Sequence, residues 1–297
     1  MDKNNQIVFL GGDKRQYTAA SELSSLGFRV RIWANEGENS KLTVARSITE
    51  ALDGADTIVL PCPVSFDGIT LNAPSVASGE AIQLELIASM LSGRNRVLLI
   101  GGKMPPLLLD KSSEEGIECA DLFDSEVFLT KNAYITAEAA VAIAMENMRK
   151  TVRGSRFAIT GYGRIAKQLA RLLCLLGADV TVCARKPRDI AEAELMGCRG
   201  VNIARDLTQA LSDLESSYDV IFNTVPSLVF DRDFLAALSK ETLVIELASA
   251  PGGIDATAAR NLGARVLWAP SLPGKYAPDS AGKLIAECIL DRLFEGR

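Results

Sequence analysis

The stretch with the most chemical content is Ile159-Thr160-Gly161-Tyr162-Gly163-Arg164-Ile165-Ala166, a G-x-G-x-x-A run between a strand-like and a helix-like segment. In such a turn Gly161 allows the tight bend, Gly163 lets backbone approach a pyrophosphate, and Ala166 lets the helix pack on the strand. The first amides of the helix, with its positive dipole end, then favour an anion. Gly161, Tyr162, Gly163, Arg164 and Ile165 are therefore expected to hold the phosphates of a dinucleotide in a Rossmann domain. The next strand ends in Val182-Cys183-Ala184-Arg185-Lys186-Pro187-Arg188, without an acid. A carboxylate there would hold the ribose 2′-hydroxyl of NAD, whereas a guanidinium can grip a 2′-phosphate with two hydrogen bonds. NADP is the expected cofactor, with Ala184, Arg185 and Lys186 at the adenosine ribose; the alternative is a solvated basic loop.

Later strand ends extend this cleft. Asn223-Thr224-Val225-Pro226-Ser227 and Ala248-Ser249-Ala250-Pro251-Gly252-Gly253 are polar and rich in turn residues, and ligands of open α/β sheets bind beyond the carboxyl ends of strands. Asn223, Thr224, Val225, Pro226, Ala248 and Ser249 are expected near the nicotinamide. A third such loop runs from Ala269 to Pro278. In the first half, Gly11-Gly12-Asp13-Lys14-Arg15-Gln16, Pro61-Cys62-Pro63-Val64-Ser65 and Gly101-Gly102-Lys103 also follow strands. Arg15 and Lys103 are expected to hold substrate carboxylates across a cleft between domains; a plain surface cation is the alternative for each.

The elements that must position these residues alternate between β and α, which argues for parallel sheets flanked by helices. Strands are expected at Gln6–Leu10, Phe28–Trp33, Asp56–Leu60 and Arg96–Ile100, then at Arg156–Thr160, Asp179–Cys183, Gly200–Ile203, Asp219–Thr224, Thr242–Ala248 and Arg265–Trp268. Gly177, Gly197 and Gly263 close three of the intervening helices. The fold class is α/β in two domains, each an open, mostly parallel sheet with flanking helices. The division expected is 1–132 for a substrate-side domain, 133–150 for an Ala-rich interdomain helix with Thr136 as its N-cap, 151–276 for the Rossmann domain, and 277–297 for a helix returning to the first domain. The first turn of the chain lacks the second half of the glycine fingerprint.

Bulk properties narrow the function. The 297 residues carry a net charge of −5, which leaves no electrostatic footprint for nucleic acid or an anionic membrane. The six cysteines have no C-x-x-C pair or metal-like spacing, so a reduced cytosolic protein without a metal is expected. The first residues lack the apolar core of a signal peptide, and no apolar run reaches membrane-spanning length. Histidine is absent altogether, which excludes a Ser-His-Asp triad, a histidine metal site and an Asp-His dehydrogenase pair. Any general acid or base must be Lys, Tyr, Asp, Glu or Cys.

Several blocks together resemble the family of dipicolinate synthase A subunits: Gly-Gly-Asp-Lys-Arg-Gln at 11–16, Thr-Ala-Glu-Ala-Ala at 136–140, Gly-Tyr-Gly-Arg at 161–164, Asn-Thr-Val-Pro-Ser at 223–227, Leu-Ala-Ser-Ala-Pro-Gly-Gly at 247–253 and Ala-Pro-Ser-Leu-Pro-Gly-Lys at 269–275. The order and spacing of the blocks are far more specific than the glycine turn. What the resemblance implies is oxidation of dihydrodipicolinate, a cyclic dicarboxylate of the lysine pathway, to dipicolinate during spore formation. It also implies a partner, the flavoprotein-like B component of dipicolinate synthase, and a spore-forming bacterium's cytoplasm as location; a homo-oligomer is expected as well. For such chemistry Lys275 and Tyr276 are the catalytic candidates, beside Arg15 and Lys103 for the carboxylates. Two alternatives stay open: an amino- or hydroxy-acid dehydrogenase of the same plan, and a non-catalytic NADP-binding protein supporting a flavoprotein.

Overall fold

The computed structural model describes residues 5–37, 42–94, 96–203 and 218–295. The chain forms two compact units, one of residues 1–132 and 274–297, the other of 133–273. The division thus falls after Pro273 and not after 276, so Lys275 and Tyr276 belong to the first unit.

The first unit begins with β1 (Gln6–Leu10), α1 (Lys14–Ser25), β2 (Arg29–Trp33), β3 (Thr43–Val44), α2 (Ile48–Leu52) and β4 (Thr57–Val59). It continues with α3 (Leu84–Met90), β5 (Leu98–Gly101), α4 (Pro106–Glu115) and β6 (Glu118–Asp121). Its sheet, six-stranded among the described residues, has the order β3-β2-β1-β4-β5-β6 with every pairing parallel. Strands covered on both faces must be apolar throughout, and β1 is buried from Ile7 to Leu10. Val8, Leu10, Ile58, Leu60 and Leu99 pack with Leu52, Leu84 and Ile87 in one core, each large aliphatic contributing roughly 1.5–3 kcal/mol by leaving water.

A long helix, α5 (Glu126–Asn147), carries the chain into the second unit. It starts well before the Ala-rich stretch at 133. Ser125 is the capping residue, its hydroxyl accepting the Phe128 N–H at 3.2 Å, and Phe128 is 2% exposed. Thr136, expected as the cap, is a buried mid-helix residue. The apolar anchor at Phe128 outweighs the change of composition at 133.

The second unit holds β7 (Arg156–Thr160), α6 (Arg164–Leu175), β8 (Asp179–Ala184), α7 (Pro187–Leu195) and β9 (Arg199–Asn202). Then come β10 (Val220–Asn223), α8 (Arg232–Ala237), β11 (Leu243–Glu246), α9 (Ala256–Leu262) and β12 (Arg265–Trp268). A helix expected between β9 and β10 falls on residues 204–217, outside those described. The sheet order is β12-β11-β10-β7-β8-β9, again all parallel. Read from the other edge it is the same sequence of strand ranks as in the first unit, the doubly wound order of dinucleotide-binding domains. The chain ends with α10 (Leu272–Tyr276) and α11 (Pro278–Glu295). Helix α11 lies along α1, where Gly282 is close enough that a Cβ would stand 2.5 Å from the Arg15 carbonyl.

Candidate functional site

The turn after β7 is built as the glycine spacing requires. Gly161 has φ +87°, and a Cβ on it would stand 2.7 Å from Thr224 Oγ1, so only glycine fits both the backbone and the space. Its N–H donates to the Cys183 carbonyl at 2.9 Å, tying the turn to the end of β8. Gly163 is the N-cap of α6, with no side chain to cap the helix, and a Cβ there would meet nothing within 4 Å. Among the described residues no acceptor takes the N–H of Tyr162 or Gly163. Open amides, a helix dipole and a gap that a side chain would fill suit a pyrophosphate.

This turn forms one wall of a cleft of about 890 Å³. Of the expected cofactor residues, Gly161, Tyr162, Gly163, Ala184, Arg185, Lys186 and Val225 line it. Arg164 and Ile165 sit in the first turn of α6, Ile165 packed against the unit's core. Ser227, at the end of the loop after β10, lines it too; Leu228, Val229 and Asp231, which precede α8, and Asp233 in its first turn were not foreseen. A readable signal existed there, because Asp231 is the N-cap of α8 and accepts the Phe234 N–H at 2.9 Å.

The three cations after β8 do not stand alike. Arg188 donates to Glu192 at 3.0 Å, and Glu192 also accepts from Lys167 at 2.7 Å. Arg185 and Lys186 are exposed at the cleft and form no ion pair among the described residues. Lys167 also lies 5.2 Å from the centre of the Tyr162 ring. Burial pushes the Tyr162 phenol up to about 12, and its hydroxyl donates to Met196 Sδ at 3.2 Å. The neutral phenol ring lines the cleft.

Asn223, expected near the nicotinamide, stands beneath the strand end. It is fully buried, its Oδ1 accepting from Thr160 Oγ1 at 2.6 Å and from the Val225 N–H, its Nδ2 donating to Glu246 at 2.9 Å. Glu246, 2% exposed, also takes the N–H groups of Ala248 and Gly253. The network fixes the loops after β10 and β11 from beneath, with its buried polar atoms matched. Thr224 helps by donating to the Thr160 carbonyl at 2.7 Å. Pro226, Ala248 and Ser249 lie on these loops without lining the cleft.

In the first unit, the turn after β1 is occupied by the chain itself. Asp13 caps α1, accepting the Arg15 N–H at 3.0 Å, and also binds Nε (2.9 Å) and Nη2 (2.8 Å) of the Arg15 guanidinium. Arg15 is 6% exposed; burial works against its charge, but the hydrogen bonds and charge of Asp13 more than offset it and raise its pKa. Gly274 closes over the pair, since a Cβ on it would come within 2.9 Å of Asp13 Oδ2. The guanidinium expected to meet a substrate carboxylate is thus already spent on Asp13. Lys103 differs: it is exposed, in left-handed backbone at φ 55°, its N–H held by Asp121 Oδ1 at 2.9 Å. Non-glycine residues held in that region mark sites where position matters. Lys275 and Tyr276 are exposed on α10. Arg15, Lys103, Lys275 and Tyr276 all lie in the first unit, and the expected cofactor residues all lie in the second.

Among the described residues no helix is long and apolar enough to cross a membrane, and no group of three or more Cys, Asp or Glu residues could hold a metal ion.

Comparison with known proteins agrees with this division. Residues 6–123 match the family model for the N-terminal domain of the dipicolinate synthase A subunit, and residues 129–251 match "D-isomer specific 2-hydroxyacid dehydrogenase, NAD binding domain". The second unit is accordingly a nicotinamide-dinucleotide domain of the dehydrogenase type. The dipicolinate synthase A subunit of Bacillus subtilis (strain 168) is 33% identical over 174 residues, 59% of this chain and 57% of that protein. The crystal structure of the dipicolinate synthase A subunit from Bacillus halodurans superposes with a TM-score of 0.83 at 28% identity, covering 98% of both chains. That of its Bacillus subtilis counterpart gives a TM-score of 0.82 at 24% identity, covering 98% of this chain and 96% of the other, and bears on the fold. On these matches, together with the motif blocks that run from Gly11 to Lys275, the chain is similar to dipicolinate synthase A subunits, and its alignment spans 57% of the length of the curated relative.

Proposed function

We propose that this chain oxidises dihydrodipicolinate to dipicolinate with NADP, in the cytoplasm of a spore-forming bacterium and alongside the flavoprotein-like B component of the synthase. The observation that carries the cofactor choice is the pair Arg185 and Lys186, exposed at the end of β8 with no acid beside Ala184 to meet a ribose hydroxyl. A 2′-phosphate gives these cations a partner, and a carboxylate at this strand end would repel it. Similarity to dipicolinate synthase A subunits supports the substrate.

The Gly161–Gly163 turn and the first amides of α6 would hold the pyrophosphate, and Arg185 with Lys186 the 2′-phosphate. A bound NADP supplies the hydride acceptor. One ring carbon of the substrate gives up hydride and its neighbour a proton, and the product is aromatic. Because aromatisation drives the step, the protein's work is to orient the substrate, exclude water and neutralise two carboxylates, which a chain without histidine can do. With Arg15 committed to Asp13, Lys103 is assigned to a carboxylate, and Lys275 with Tyr276 to the reacting side of the ring. The test is direct: purified chain with dihydrodipicolinate and NADP should produce NADPH absorbance and dipicolinate in equal amounts. No turnover, with or without the B component, would refute the assignment.

A further inference from the structure

Two of the six cysteines are in contact. Cys174, in the last turn of α6, and Cys198, just before β9, have sulfurs 3.5 Å apart, and both are free thiols. Among the described residues the other buried thiols, Cys62, Cys183 and Cys288, make no such contact, and burial pushes the first two up to about 12 and the third to about 11. Cys174 is half-buried, whereas Cys198 is 6% exposed. The pair adjoins Tyr162, whose hydroxyl is on Met196, just ahead of Cys198 in the chain.

We propose that Cys174 and Cys198 are a peroxide-sensitive modification site that closes into an intramolecular disulfide. Cys174, the accessible member, meets the oxidant. The Cys174 thiol gives up its proton, its thiolate attacks a peroxide oxygen, the O–O bond breaks, and the hydroxide that leaves takes up that proton, so that Cys174 sulfenic acid and water result. The Cys198 sulfur then attacks the sulfenic sulfur; the S–S bond forms, the S–O bond breaks, and the hydroxyl leaves as water with the proton of the Cys198 thiol. Two thiols lose two electrons in total, and the peroxide is reduced to two waters. The sulfurs need close only from 3.5 Å to about 2.05 Å. Cys198, held as a thiol by burial that pushes it up to about 12, waits for the activated partner and does not compete for oxidant. The bridge would enclose β8, Arg185, Lys186 and α7 in one covalent loop, so it bears on the segment assigned to cofactor selection; that consequence rests on the NADP reading, while the bridge does not.

The experiment is peroxide titration of the full chain, followed by thiol counting and peptide mapping without reductant. Free thiols should fall from six to four, a peptide linking Cys174 to Cys198 should appear first, and thiol reductant should reverse it. Cys198→Ala should strand Cys174 as a sulfenic acid that a dimedone-type reagent captures. Six thiols surviving, a first link through any other pair, or over-oxidation of Cys174 with no link would overturn the proposal. None of these readouts requires cofactor binding, so the NADP reading stands or falls separately.

Discussion

The two units repeat one topology, yet their first βα turns have opposite fates. In both, the glycine that follows the first strand donates to the end of the second: Gly11 to Trp33 at 2.8 Å, Gly161 to Cys183 at 2.9 Å. The turns part company at the helix cap. After β1 the cap is Asp13, whose carboxylate sits at the start of α1 and binds Arg15. Gly12 is packed against Gln16, its amide donating to the Asn72 carbonyl at 2.8 Å. After β7 the cap is Gly163, bare and facing open space. Strand order alone therefore does not make a dinucleotide site. The anion-binding end of a helix is available only where the chain supplies no anion of its own.

The largest effect is expected from undoing the closed turn. Asp13→Ala removes a helix cap worth about 1 kcal/mol and leaves Arg15 buried without its counter-charge, a loss of about 3–5 kcal/mol. Denaturant unfolding should show that drop, with the second unit's cofactor affinity unaltered in protein that remains folded. A loss under about 1 kcal/mol, no more than a helix cap alone, would mean Arg15 finds another partner and the turn is not closed by this pair.

Next comes the open turn. Gly163→Val adds atoms where nothing stands within 4 Å, so the thermal midpoint should hold within a few degrees. NADP affinity should fall by about a hundred-fold or more, since excluding the pyrophosphate removes several charge-assisted hydrogen bonds. Unchanged affinity by calorimetry would break the comparison at its open side.

A smaller, more selective effect is expected at Arg185. A hydrogen bond to a charged group is worth roughly 1.5–3 kcal/mol, so Arg185→Ala should weaken NADP by about ten- to a hundred-fold. NAD binding should barely change. Arg188→Ala, its partner being Glu192, should discriminate much less. Equal losses of NADP and NAD at Arg185 would mean it supports the loop and does not read the phosphate.

The smallest effect is electrostatic and belongs to the first unit. The Lys111 ammonium at 2.7 Å, helped by the Gly93 N–H, holds the Glu115 carboxyl down at about 2, against 4.5 ordinarily. A depressed carboxyl contributes stability above its unfolded value and loses it as pH falls through the folded one. Glu115→Gln should therefore lower stability slightly at neutral pH and narrow the difference from wild type between pH about 4.5 and about 2. If the wild-type carbon shift of Glu115 titrated near 4.5, the account of that contact would be wrong.

Much of the fold was legible because apolar runs and terminal glycines are local signals. Gln6–Leu10, Arg156–Thr160 and Arg265–Trp268 are strands as read, Gly263 caps the helix before it, and Gly177 and Gly197 come just after the C-cap residues of theirs. The open turn was legible for the same reason: everything that makes it lies within a few residues. What escaped depends on partners far along the chain. Arg15 looked like a free cation, but Gly274 and α11 return to bury it on Asp13. Asn223 looked like a ligand at a strand end, until Glu246 of the neighbouring strand met its amide. The far wall of the cleft comes from the approach to α8, where ordinary capping chemistry hid a lining role.

The proposed function has the open turn of this repeated topology take a dinucleotide and the closed one not, and calorimetric titration of the full chain with NADP tests that most directly. One site per chain is predicted, lost in a folded Gly163→Val variant and kept, at unchanged affinity, in whatever fraction of Asp13→Asn protein remains folded. Two sites per chain, or one site that survives Gly163→Val and disappears with Asp13, would contradict it.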